Sequence, residues 1–135
     1  MADTNQSMNE PPGRPGRGVL DPGSLAELRS LDPGGQGRLV ERVLATYQTS
    51  MARLVEQMTR VRQDSDWDQV ARVAHTLKSS SASVGALSLS SLCAEIERHL
   101  RQGDTAAAVP LLGRFDDEAA RVAEAVRAML GAGGA

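Results

Sequence analysis

Residues 66–103, DWDQVARVAHTLKSSSASVGALSLSSLCAEIERHLRQG, contain two amphipathic periods separated by one glycine and ended by another. In the first, Trp67, Val70, Ala74, Leu77, Ser81 and Val84 advance by steps of three and four, the spacing of one helix face. Ser65 and Asp68 stand in capping-box spacing before it and Gly85 follows it, which predicts a helix over about 66–84. In the second, Leu89, Leu92, Cys93, Ile96 and Leu100 align, and Gly103 stops a helix predicted over about 87–102.

The pattern continues on both sides. Upstream, Val40, Leu44, Tyr47, Met51, Leu54, Met58 and Val61 predict a helix over about 37–62. Downstream, Ala108, Leu112, Phe115, Ala119, Val122, Val126 and Met129 predict one over about 104–130, with Asp104 as its cap and Pro110 expected to delay or kink its start. Joints of a few residues force each helix back along its predecessor. The fold class expected is therefore all-α, an antiparallel up-down-up-down four-helix bundle. A helix of about 26 residues reaches roughly 39 Å at 1.5 Å per residue, enough to enclose a core without a sheet. Before the bundle, LDPGSLAELRSLDPGG (20–35) places Leu25, Leu28 and Leu31 on one side of a short accessory helix bracketed by prolines. Residues 1–19 are rich in Gly and Pro and poor in apolar side chains, so the division expected is a disordered tail, 1–19, and a bundle domain, 20–131.

Composition narrows the function classes. Fifteen basic against seventeen acidic residues leave a net charge of -2, which argues against nucleic acid as a partner. No apolar run has the length of a membrane span, and the polar N-terminus is unlike a signal peptide. A single cysteine, Cys93, forms no internal disulfide and sits at a core position, so a cytoplasmic protein is expected. Glu-x-x-His pairs of di-iron bundles and Gly-rich phosphate loops are both missing from the sequence, so no metal site and no nucleotide site are predicted.

Packing leaves His75 unexplained. At 100° per residue it lies roughly 130° from the stripe of its helix, towards solvent, and its neighbours in projection are small: Ala71, Ser79 and Ala82. One turn along stands Lys78, the sole lysine among fifteen basic residues, a compact charge where the chain otherwise uses arginine. His99 lies at the margin of its stripe with bulky neighbours and reads as a boundary residue.

The run Ala74-His75-Thr76-Leu77-Lys78-Ser79-Ser80-Ser81-Ala82-Ser83-Val84-Gly85-Ala86 resembles the signature of histidine phosphotransfer (HPt) domains, His-x-Leu-Lys-Gly-Ser/Ala-Ser/Ala with a Gly near the helix end. The resemblance takes in the 20–35 opening, Leu92-Cys93 with Ile96-Glu97, and the helix count, over about residues 20–130. Ser79 stands where the family usually has Gly. The resemblance implies a phosphorelay carrier without autonomous kinase activity, whose imidazole His75 accepts a phosphoryl group from a receiver-domain aspartate and passes it to another receiver. The charge of a bound phosphoryl group makes Lys78 its expected counterion and Ser79 an expected hydrogen-bond donor to it, and the resemblance implies Glu97 as the group that holds the other imidazole nitrogen. A solvated Glu97 paired with Arg101 at i,i+4 is the competing reading. Ala71 and Ala82, extended by Leu25 and Leu28, are the expected docking patch. The partners implied are response-regulator receiver domains, including that of a hybrid sensor kinase, met by a monomer. Mg²⁺ is expected on the receiver, with no cofactor on this chain. Two alternatives compete: the phosphoacceptor part of a histidine kinase, disfavoured by Thr76 after the histidine and by the absence of a following Pro, and a helical adaptor that binds receivers without phosphotransfer.

Overall fold

The computed structural model describes residues 18–134, with side chains described to residue 131. Among the described residues all regular structure is helical: α1 (Pro22–Ser30), a 3₁₀ turn (Pro33–Gly35), α2 (Leu39–Gln63), α3 (Trp67–Ser83), α4 (Leu87–Arg101) and α5 (Thr105–Gly134). Of the tail expected over 1–19, residues 1–17 lie outside the described residues, whereas Val19 packs partly buried against the core and Leu20 is fully packed.

Each joint within the bundle, from α2 to α5, is a helix C-terminus closed by one left-handed residue. At the end of α3, Gly85 takes φ 84° and Ala86 N–H reaches back to the Ser81 carbonyl at 2.8 Å. Gly103 repeats the arrangement after α4, with Asp104 N–H on the His99 carbonyl at 2.8 Å. At the α2–α3 joint the left-handed position is held by Ser65, φ 53°, and Asp66 N–H reaches the Val61 carbonyl at 2.9 Å. The capping box expected at Ser65 and Asp68 is thus replaced. Ser65 ends α2, and Asp66 caps α3 through a 3.3 Å bond from Gln69 N–H. Asp104 caps α5 as expected, accepting from Ala107 N–H at 3.1 Å. Pro110 lies inside α5 and does not delay its start at Thr105, because it removes a single ladder bond within the first two turns.

Cross-helix pairs show the antiparallel course. Tyr47 on α2 meets Ser81 on α3 at 2.8 Å, and Arg62 on α2 meets Asp116 on α5 at 2.8 Å. Lys78 and His75 on α3 meet, in reverse order, Ser90 and Glu97 on α4. The helices ring a core of Leu44, Met58, Val70, Leu77, Leu89, Ile96, Phe115, Val122 and Val126, each at most 1% exposed. With three aromatics in the whole chain, the core is built of aliphatic side chains and methionines, with Phe115 and Tyr47 as its buried aromatics. The Tyr47–Ser81 bond satisfies two hydroxyls inside it, and burial pushes the Tyr47 phenol up to about 12.

The repeated Leu-Asp-Pro-Gly of the N-terminal segment acts through its aspartates. Asp21 caps α1 by accepting from Ser24 N–H and Oγ, both at 2.9 Å. Asp32 accepts from Gly37 N–H and Leu39 N–H at 3.1 Å, so it caps α2 from seven residues away. Asp21 N–H donates to the Gly85 carbonyl at 2.8 Å, which fastens the segment to the α3–α4 joint. A Cβ on Gly85 would lie 2.9 Å from Asp21 N and 3.0 Å from its carbonyl oxygen, so this contact requires glycine twice, for its φ and for its size.

Candidate functional site

His75 stands mid-way along α3 with its side chain 59% exposed. The ring is held at one nitrogen: Nδ1 lies 2.9 Å from Glu97 Oε2 on α4. Glu97 is the best-covered member of the site, its side chain 14% exposed, and both oxygens are engaged. Lys78 Nζ donates to Oε1 at 2.9 Å, and Arg101 Nε lies 3.7 Å from Oε2. The carboxylate therefore bridges the imidazole and the ammonium, one oxygen to each.

Electrostatics follow the geometry. Burial alone would raise the Glu97 carboxyl. Hydrogen bonds from Lys78 and His75, with the charges of both, outweigh it and hold the group below its ordinary value of 4.5. An ionised Glu97 can only accept, so the proton of the neutral imidazole sits on Nδ1. The lone pair is then on Nε2, which has no protein partner among the described residues. In its neutral form the ring thus presents a lone pair at an exposed point of α3.

The register between α3 and α4 is held beside this site. Ser90 Oγ donates to the Lys78 carbonyl at 2.8 Å, one turn from the carboxylate. Nothing in the apolar spacing of α4 singles out Ser90. Its signal in the sequence, a small polar residue next to Leu89 in the stripe, is common to many helix positions.

The sequence-predicted residues divide. His75, Lys78 and Glu97 come together, and the two readings of Glu97 merge, because its short bonds go to His75 and Lys78 while Arg101 stands at longer range on the same oxygen. Ser79 and Ala82 are exposed on the His75 side of α3. Ala71 is not: it is 2% exposed. It shares a stripe with Lys78, seven residues on, and that stripe turns towards α4, as the Lys78–Glu97 bond shows. Leu25 is 5% exposed, a core residue that anchors α1 instead of facing a partner, and Leu28 is half-buried against the core. Of the small neighbours expected around His75, Ser79 and Ala82 are exposed, and the exposed surface there also takes in Arg72 and Thr76. His99 is half-buried, with Nδ1 covered and without a partner among the described residues, so no carboxylate orients its ring. Cys93 is fully buried, and burial raises its thiol to about 12, far from a reactive thiolate. Among the described residues no group of three or more His, Cys, Asp or Glu side chains could hold a metal ion, and no helix is long and apolar enough to cross a membrane.

The model of the Hpt domain family matches residues 42–125, well over half of the 135-residue chain, with His75, Lys78 and Glu97 inside the matched span. The chain belongs to the Hpt domain family. The N-terminal segment with α1 lies outside the match. No curated protein and no solved structure matches the chain significantly. An Hpt domain is a histidine phosphotransfer module of phosphorelay systems, a phosphoryl carrier that works with receiver domains of response regulators and hybrid kinases. The all-helical build of this Hpt domain, with a histidine exposed on a bundle helix, is the architecture that such a carrier needs.

Proposed function

We propose that this Hpt domain carries a phosphoryl group on Nε2 of His75, taking it from the aspartyl phosphate of one receiver domain and delivering it to the aspartate of another. The observation that carries the reading is the 2.9 Å contact between Nδ1 and a half-buried, ionised Glu97 behind a ring that is otherwise exposed. In the accepting step the Nε2 lone pair forms a bond to phosphorus as the phosphorus–oxygen bond to the receiver's aspartate breaks, and that carboxylate leaves with the electron pair. The proton stays on Nδ1. The phosphorylated ring is then an imidazolium, and the Glu97 charge 2.9 Å away offsets the positive charge that develops. When the phosphorus–Nε2 bond breaks, the electron pair returns to the ring and a neutral imidazole leaves, so the same Nδ1–H hydrogen bond keeps the phosphoryl group transferable to the next aspartate.

Lys78 supports the reaction through Glu97, which it holds at 2.9 Å, and its charge lies close enough to offset the phosphoryl dianion. In this reading Mg²⁺ and the exchanging carboxylate belong to the receiver, and the receiver docks over the exposed α3 surface at Ser79 and Ala82. The carrier works as a cytoplasmic monomer, and its lone buried cysteine supports the compartment. Incubation with a ³²P-labelled phosphorylated receiver tests the proposal: label on the chain that is lost in acid and kept in base is expected, and the absence of such label would refute it. Binding of the receiver without any label would favour the adaptor alternative.

A further inference from the structure

The helix that carries His75 has five hydroxyl side chains, Thr76, Ser79, Ser80, Ser81 and Ser83. Four of them are engaged. Thr76 Oγ1 donates to the Arg72 carbonyl at 3.2 Å, Ser80 Oγ to the Leu77 carbonyl at 3.5 Å and Ser83 Oγ to the Ser79 carbonyl at 3.1 Å, while Ser81 is paired with Tyr47. The Ser79 hydroxyl alone has no partner among the described residues, and it is exposed. Both Glu97 oxygens are engaged, and Lys78 Nζ commits one of its three N–H groups to Glu97, so the Ser79 hydroxyl adds a neutral donor beside the ammonium.

Position makes the free hydroxyl useful. Ser79 follows His75 by one turn, so their Cβ atoms lie about 5–6 Å apart on the same face. A phosphoryl group on Nε2 brings its oxygens into the space between the two side chains. We propose that the Ser79 hydroxyl donates a hydrogen bond to a phosphoryl oxygen on His75 and thereby lengthens the lifetime of the phosphorylated protein. This role rests on the reading of His75 as phosphoacceptor. It gives a hydroxyl-dependent function to a position where the HPt signature usually has glycine, which has no donor side chain.

The direction of the effect follows from the transition state. Loss to water forms a bond from the water oxygen to phosphorus as the phosphorus–Nε2 bond breaks, releasing inorganic phosphate and returning the electron pair to the ring. In a loose, metaphosphate-like transition state the transferring group carries less negative charge on its oxygens than the bound dianion does. A donor that holds those oxygens is therefore stronger in the ground state than in the transition state, and it slows loss.

The test loads His75 without a receiver, so that docking cannot contribute. Phosphoramidate serves as the donor: Nε2 bonds to phosphorus, the donor's phosphorus–nitrogen bond breaks and ammonia leaves. Wild type, Ser79→Ala, Ser79→Gly and Ser79→Thr are loaded, freed of donor, and followed at pH 8 by ³¹P NMR, with circular dichroism as the check on folding. Loss about 3- to 10-fold faster in Ser79→Ala and Ser79→Gly is expected, the range of one hydrogen bond to a charged group that is partly kept in the transition state. Ser79→Thr, which keeps a hydroxyl, should restore slow loss. Equal lifetimes in wild type and Ser79→Ala would overturn the proposal while leaving His75 as the acceptor. Failure of Ser79→Ala to load when wild type loads would also overturn it, because the hydroxyl would then serve uptake. If no phosphohistidine signal forms in wild type, the reading of His75 itself fails, a distinct result.

Discussion

Glu97 Oε2 lies 2.9 Å from His75 Nδ1, across the seam between two antiparallel helices and 22 residues away in the chain. This one contact assigns the ring's proton to Nδ1 and its nucleophilic lone pair to Nε2. His99, the other histidine, has a covered Nδ1 with no partner among the described residues.

The first prediction separates the two histidines. After incubation with a labelled receiver, wild type and His99→Gln should carry acid-labile, base-stable label, and His75→Gln should carry none. Label retained in a folded His75→Gln protein would remove His75 from the mechanism.

In the proposed mechanism Lys78 supports the site through Glu97 without performing the bond-making step. Lys78→Ala should slow phosphotransfer about 5- to 30-fold, the effect of roughly 1–2 kcal/mol for a charge-assisted bond at a partly exposed site. Single-turnover transfer from a labelled receiver measures this, and complete loss would require a chemical role for the ammonium that the Glu97 contact does not provide.

Glu97 should link stability to pH. Its carboxyl titrates lower in the folded protein than its ordinary value of 4.5, so its ionisation favours the folded state. The contribution is complete above 4.5 and disappears as pH falls through the lower folded-state value. Urea unfolding of wild type and Glu97→Gln at a series of pH values should show a stability gap at neutral pH that closes in acid. A gap that widened in acid would contradict the bridge to His75 and Lys78.

In the proposed docking mode a receiver reaches His75 over Ala82, which is exposed on the same side of α3. Ala82→Arg should block transfer from a receiver while leaving the bundle folded, because the site lies outside the core. Unchanged transfer in the folded variant would exclude this face as the docking surface.

Two left-handed joints predict opposite signs. Gly85→Ala should destabilise the domain by about 2 kcal/mol or more, from the left-handed φ and the contact with Asp21. Ser65→Gly should stabilise it by about 1 kcal/mol, since Ser65 holds φ 53° at a position that glycine adopts without strain. Thermal unfolding of the two variants checks both.

The stripes spaced by three and four residues predict the four long helices, and the glycines at 85 and 103 mark two of their ends, because both signals depend only on near neighbours in the chain. The same arithmetic turns His75 out of its own helix's stripe, and the structure finds it 59% exposed. Ser65 is harder to read: a serine in the left-handed region has no local signature that distinguishes it from a cap, and the sequence pattern therefore assigns it to the wrong helix.

What the sequence alone determined about this protein is directional: which way each residue points on its own helix, and where each helix stops. The tertiary structure decided which residues meet. Helical periodicity contains no information about the rotation and register of one helix against the next, which depend on side chains interlocking across the seam and on the turn at Gly85. That register, held by Ser90 on the Lys78 carbonyl, brings Glu97 to His75 and turns the Ala71 stripe under α4. Tertiary packing likewise buries Leu25 of α1 and leaves Leu31, the residue that caps its end, 72% exposed: a short helix can cover only what the bundle beneath it presents.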